Sequence, residues 1–137
     1  MFKKKAFEGG AAATTKQAGD AAETLALQHL IRQGLTLVRR NYRVARGPSA
    51  RGGEVDLIMR DVDGTLVFVE VRSRAGRGHG GAAGSVTALK QRRLVYAAQH
   101  FLLALAVLPP CRFDVVAVED GRVQWLRAAF DAGSLSA

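Results

Sequence analysis

Apolar and polar positions are ordered most clearly between Glu54 and Arg74, where two β-branched, apolar arms flank Asp61-Val62-Asp63-Gly64. The pattern predicts a β-hairpin whose three-residue loop ends in a left-handed Gly64 and pairs Asp61 with Thr65. Counting back two by two sets Ile58 opposite Phe68, Asp56 opposite Glu70, and Glu54 opposite Arg72. One face then carries Val55, Leu57, Met59, Val67, Val69 and Val71, an apolar surface that a helix or second layer must cover. The other face carries Asp56, Glu70 and Arg72. Directly opposed carboxylates stand roughly 4.5–5.5 Å apart at Cβ and repel each other. Such a pair calls for a divalent metal ion, unless the face is open to water and Arg72 simply bridges to Glu54.

Upstream, Ala22, Ala26, Leu27, Leu30 and Ile31 recur at helical spacing and predict a helix from Asp20 to Gln33, ended by Gly34. Leu35 to Val44 reads as a short strand bearing Arg39, Arg40 and Arg43. A Gly/Pro/Ser/Arg loop, Ala45 to Gly53, leads into the hairpin, and a glycine-dense connection, Ala75 to Gly84, leaves it. Val86 to about Leu105 forms the long helix, with Leu89, Leu94, Ala97, Ala98, Phe101 and Leu102 on its buried side and Pro109-Pro110 beyond its end. Cys111 to Val118 and Val123 to Leu126 finish as strands around Glu119-Asp120-Gly121. The order α, β, β, β, α, β, β on one core implies an α/β fold, a mixed sheet flanked by helices. Residues 1–18 lack periodicity and read as a disordered basic tail, 19–131 as the domain, and 132–137 as a flexible end.

Charge adds a partner to this picture. The 137 residues suffice for one domain, and 20 Lys and Arg against 12 Asp and Glu give a net charge of +8. That excess favours a polyanion, either nucleic acid or an anionic membrane. No apolar run approaches the ~20 residues of a membrane span, so a cytoplasmic protein with no membrane partner is expected. The single cysteine, Cys111, excludes a disulfide framework and a Cys/His zinc site.

Three further groups bear on chemistry. Glu23 lies in line with Ala26, Leu27 and Leu30 and so points toward the buried side of its helix, although Asp20 and Glu23 also have capping-box spacing. Lys90, Arg92 and Arg93 open the long helix, either as a solvated face or as contacts to backbone phosphates. Gly76-x-Gly78-x-x-Gly81 matches a dinucleotide fingerprint, but Phe101 stands where an acid should grip ribose, so this reading is set aside.

In order along the chain, Arg40-Asn41-x-Arg43, Gly53-Glu54-Val55-Asp56-Leu57-Ile58, Leu66-Val67-Phe68-Val69-Glu70-Val71-Arg72-x-Arg74, Val86-Thr87-x-x-Lys90-x-x-Arg93-Leu94 and Cys111-Arg112-Phe113-Asp114-Val115-Val116 resemble the YraN-like family. These are small bacterial proteins similar to PD-(D/E)xK nucleases, whose restriction-endonuclease-like fold has an αβββαβ core. Asp56 and Glu70-Val71-Arg72 match the nuclease motif, and Glu23 matches the helical acid of its Holliday-junction-resolvase-like branch. The resemblance implies a Mg²⁺ (or Mn²⁺) ion held by Glu23, Asp56, Glu70 and the carbonyl of Val71, with Asp56, Glu70, Arg72 and Glu23 as the catalytic set. It implies nucleic acid as partner, DNA rather than RNA, with Arg40, Asn41, Arg43, Arg74, Arg77, Lys90 and Arg93 as candidate contacts. Resolvase-like relatives also imply a homodimer, for which Trp125 and Phe130 beside strand 123–126 offer an apolar contact.

The chain departs from the pattern at position 72, where the motif lysine is arginine. Arginine stays protonated and binds phosphate as a bidentate fork, so it cannot be a general base but can stabilise negative charge. Lys90 would supply an ammonium if its helix start reaches the site. Ala22 also replaces a usual glycine, and the Ala45–Gly53 loop is longer than in the family. Three readings therefore stand: a Mg²⁺-dependent endonuclease, with branched or damaged DNA as candidate substrates; a non-catalytic nucleic-acid-binding module; and an interaction domain whose acids are merely solvated.

Overall fold

A computed structural model of the chain describes residues 14–45, 52–74 and 86–131. Helix α1 spans Thr15–Arg32, strand β1 Thr36–Val44, β2 Gly53–Arg60 and β3 Leu66–Arg74. Helix α2 spans Ala88–Leu102, followed by β4 Cys111–Glu119 and β5 Arg122–Phe130. The five strands form one sheet in sequence order. All neighbours are antiparallel except β3 and β4, which α2 connects in parallel. This is the expected α/β architecture, consistent with an αβββαβ restriction-endonuclease-like core, with β5 added at one edge.

The helices cover opposite faces. Ala22, Ala26 and Leu30 of α1 pack on Leu57, Met59, Val67, Val69, Val71, Val116 and Val118. Leu94, Val95, Ala97 and Ala98 of α2 pack on Val55, Ile58, Leu66, Phe68 and Phe113. Central strand β3 is apolar on both faces because it is buried on both, which is why its sequence does not alternate with polar residues until Glu70.

The hairpin turn follows its sequence. Asp61 N–H donates to the Thr65 carbonyl (2.9 Å), Gly64 N–H to the Asp61 carbonyl (3.0 Å), and Gly64 has φ +91°. Ile58 does face Phe68. The expected register holds from Arg60 opposite Leu66 to Leu57 opposite Val69, where the β2–β3 ladder ends, so Asp56 and Glu70, and Glu54 and Arg72, are not ladder pairs. Val55 turns to the α2 side instead of sharing a face with Leu57, a break in alternation centred on Asp56.

Helix α1 also starts earlier than expected. Thr14 caps it, accepting from Gln17 N–H while the Gln17 side chain accepts from Thr14 N–H, so the capping box is Thr14/Gln17 and not Asp20/Glu23. Residues 14–18 are thus cap and first turn, not tail; 1–13 and 132–137 lie outside the described residues, as do Ala75 to Gly84 and Arg77. Ile31 and Leu89, expected in the core, are about half exposed, whereas Val95 is buried. Among the described residues no helix is long and apolar enough to cross a membrane.

One buried charge fixes β5 to the sheet. Asp114 is fully buried and accepts from Arg112 Nε (3.1 and 3.2 Å), Trp125 Nε1 (2.8 Å) and Ala128 N–H (2.9 Å). Ala128 takes φ +50°, and the β4–β5 register shifts between Phe113 and Val115. Trp125 and Phe130 are therefore engaged within the fold: Trp125 through this bond and its packing on the α1 cluster, Phe130 stacked on Phe113. The apolar homodimer contact expected of them loses its basis. Asp114→Ala leaves the Trp125 and Ala128 donors unpaired and takes from Arg112 one of its two carboxylates, Asp61 remaining at 2.9 Å, and should lower stability by about 2–4 kcal/mol, read as the urea midpoint followed by Trp125 emission.

Candidate functional site

Beyond the last β2–β3 pair the sheet forks. Strand β2 stays with β1 down to Gly53 opposite Val44, and β3 stays with β4 up to Arg74 opposite Glu119. A cleft of about 1010 Å³ opens at this end, lined by the starts of both helices and by Glu23, Glu54, Asp56, Glu70, Val71 and Arg72. The three acids singled out in the sequence therefore meet in one cleft, contributed by α1, β2 and β3.

Each acid is poorly compensated. Asp56 is 8% exposed, and its Oδ2 accepts from Val71 N–H at 2.8 Å, a donor that an unbroken ladder would have used. Burial, and then the charge of Glu70, push the Asp56 carboxyl up to about 8. Glu70, with 12% of its side chain exposed, is also raised by burial, against the opposing pull of Arg72 at 3.4 Å and of Lys90. Burial raises Glu23 too, although Arg40 counters it; Glu23 Oε1 is buried without a hydrogen-bond partner, with Arg40 Nε 3.5 Å away.

The basic residues divide into two sets. Arg40 points inward: its Nη2 donates to the Asp20 carbonyl (3.3 Å) and Thr24 Oγ1 (3.1 Å), so it ties β1 to α1. Asn41, with φ +56°, hydrogen-bonds Glu23. Arg43 pairs with Glu54 at 3.8 Å and Arg72 with Glu70. Lys90 and Arg93 also line the cleft, from the first turns of α2. That helix has no acid in its first turn, so Lys90 sits at the positive end of the helix dipole, an unfavourable place by roughly 0.3–1 kcal/mol at low salt, with Arg92 and Arg93 in the turn that follows. A bound anion removes that penalty.

The acid oxygens suit a hard divalent cation by type. Their spacing does not yet form a binding cluster: among the described residues no three Asp, Glu, His or Cys are grouped to hold a metal ion. A metal ion here would require the carboxylates to draw together. Sequence reasoning missed two residues here. Gly53 lies against α2, and its signals were the Gly52-Gly53 pair before the strand and its place at the head of a family motif. Asp114 stood in a family motif with no role assigned to it.

The sequence model of the uncharacterised protein family UPF0102 matches residues 22–118, from the middle of α1 to the end of β4. The chain belongs to this family. The UPF0102 protein of Methylibium petroleiphilum is 64% identical over 119 residues, covering 87% of this chain and 98% of the relative. That of Albidiferax ferrireducens is 60% identical, over 87% of this chain and 91% of its own. That of Paracidovorax citrulli is 59% identical over 97% and 98%. UPF0102 membership bears out the YraN-like resemblance, and the matched segment contains Glu23, Asp56, Glu70 and Lys90.

The raised Asp56 carboxyl fixes a pH dependence. The unfolded chain loses this proton near 3.8 and the native chain near 8, so between those values the native state holds more protons. Stability therefore falls as pH rises from about 4 to 8, by on the order of a few kcal/mol in total. Asp56→Asn keeps an acceptor for Val71 N–H and should flatten this window, raising stability at pH 8 by about 1–3 kcal/mol in urea titrations. An unchanged slope would show that Asp56 is not the group responsible.

Proposed function

We propose that this protein binds nucleic acid in the cleft at the forked end of the sheet and acts there as a divalent-cation-dependent phosphodiesterase. The observation that carries the reading is the meeting of Asp56, Glu70 and Glu23, each raised by loss of water, with a rim of Arg43, Arg72, Lys90 and Arg93. Such a site lacks a cation among its acids and an anion along its rim, and a phosphodiester with Mg²⁺ or Mn²⁺ supplies both. The resemblance to PD-(D/E)xK nucleases favours DNA over RNA.

Asp56 and Glu70, with Glu23 and the Val71 carbonyl, would hold the ion, which when bound polarises the phosphodiester and lowers the pKa of a water. The chain's own contribution is electrostatic. Lys90, Arg93 and Arg43 attract and align backbone phosphates, and Arg72, fixed beside Glu70, stabilises charge that develops on the phosphate. Arg72 never gives up its proton, so it takes no part as a base.

A second reading, a nucleic-acid-binding module without turnover, is favoured by Arg72 in place of lysine and by acids not yet grouped around a metal point. Incubation of the full chain with single-stranded, duplex, flap and four-way DNA in Mg²⁺ or Mn²⁺ separates the two. Cleavage that falls by at least about 100-fold in Asp56→Ala supports the enzyme. Salt-steep binding with no cleavage supports the module, and failure to bind any nucleic acid excludes both. Mg²⁺ should also raise the melting temperature of the wild-type chain but not of Asp56→Ala.

A further inference from the structure

Gly53 opens β2 at the floor of the cleft, and its backbone does not adopt the left-handed conformation that usually explains a glycine. Space explains it. A Cβ at this position would overlap the carbonyl oxygen of Arg93 and stand 3.0 Å from Ala97 N and 3.1 Å from Ala97 Cβ. Helix α2 thus lies directly on the strand, backbone against backbone, at the residue that carries one of the cleft's cations. Ala97, fully buried, is the small partner on the helix side.

We propose that Gly53 is a positioning residue: its contact with Arg93 and Ala97 seats α2 so that Lys90 and Arg93 reach over the cleft as the helix's two phosphate contacts. The inference rests on the nucleic-acid reading above and identifies which cations serve it. Lys90 and Arg93 are three residues apart and so share a helix face. Among the described residues neither forms an ion pair, whereas Arg40, Arg43 and Arg72 are each beside an acid at 3.5, 3.8 and 3.4 Å. Lys90 is the lysine of the cleft, and its charge already acts on Glu70. The ammonium absent from position 72 of β3 is thereby supplied from α2, at a height that a glycine sets. A side chain at 53 lifts the helix start and withdraws both cations.

Affinity of the full chain for a fluorescent duplex DNA, followed by anisotropy across a salt series, tests this. Each lost phosphate contact reduces the magnitude of the log–log salt slope by about 0.9. The double variant Lys90→Gln/Arg93→Gln should reduce it by about 1.8, the sum of two such contacts. Gly53→Ala, with its fold checked by circular dichroism, should reduce it by about 0.9 or more and should add nothing when combined with the double variant. Ala97→Val pushes on the same contact from the helix side and should act in the same direction, which decides the case if Gly53→Ala does not fold. A purely structural glycine would lower the melting temperature and leave the slope unchanged.

Three results overturn the inference while leaving the nucleic-acid reading intact: a wild-type slope in folded Gly53→Ala or Ala97→Val; a full additive loss in the triple variant; or a wild-type slope in Lys90→Gln/Arg93→Gln. Absence of any DNA binding by the wild-type chain overturns that reading as well.

Discussion

The hydrogen bond from Val71 N–H to the Asp56 carboxylate, 2.8 Å long, marks the place where the sheet stops being continuous. On one side of it, β2 and β3 are a regular antiparallel pair sealed by two helices. On the other, a side chain has taken a donor that the ladder would have used, and the strands go their separate ways with β1 and β4. The fork gives the molecule its cleft. It also lets the carboxylates of Asp56 and Glu70 share one interior without lying in direct cross-strand register.

The electrostatics of that interior follow from the same break. Asp56 and Glu70 are removed from water but lack enough donors to remain comfortably ionised, so both titrate high. Cations approach from three directions, yet most are committed before any ligand arrives: Arg40 to the α1 backbone and Glu23, Arg43 to Glu54, Arg72 to Glu70. The start of α2 is different. Its Lys90 opposes the helix dipole, and among the described residues neither Lys90 nor Arg93 forms an ion pair, an arrangement that favours an anionic ligand.

How far this was legible in the sequence depended on the range of the interaction that decided each residue. The Asp61–Gly64 turn is local, and its glycine fixed both the loop and the Ile58/Phe68 register. Helix α1 began early through an equally local signal, the Thr14-x-x-Gln17 box, which the search for apolar periodicity passed over. The opposed Asp56/Glu70 pair failed because a side-chain-to-backbone bond outcompeted the ladder, and regular counting cannot anticipate a break of that kind. The meeting of Glu23 with the hairpin acids was expected from family resemblance, since nothing local ties α1 to β3. Arg40 looked like a surface cation because an arginine's reach into its own fold depends on the neighbouring helix. Gly53 and Ala97 were unreadable for the same reason: their smallness matters only once α2 is laid across β2.

Two buried aspartates in one sheet show what separates support from function. Asp114 is enclosed by a guanidinium, an indole N–H and a backbone N–H, and every one of those bonds holds β5 in place. Asp56 has one backbone donor and another acid as its near neighbour in charge. A satisfied buried charge has completed its work in the fold, since its partners exhaust its capacity to bind. An unsatisfied one either holds a proton, as Asp56 does up to about pH 8, or takes a ligand that supplies the missing charge, and a sheet with an intact ladder had ways to avoid it. That this chain keeps Asp56 at the mouth of a basic cleft, within the segment its family shares, is the strongest physical reason to look for that ligand there.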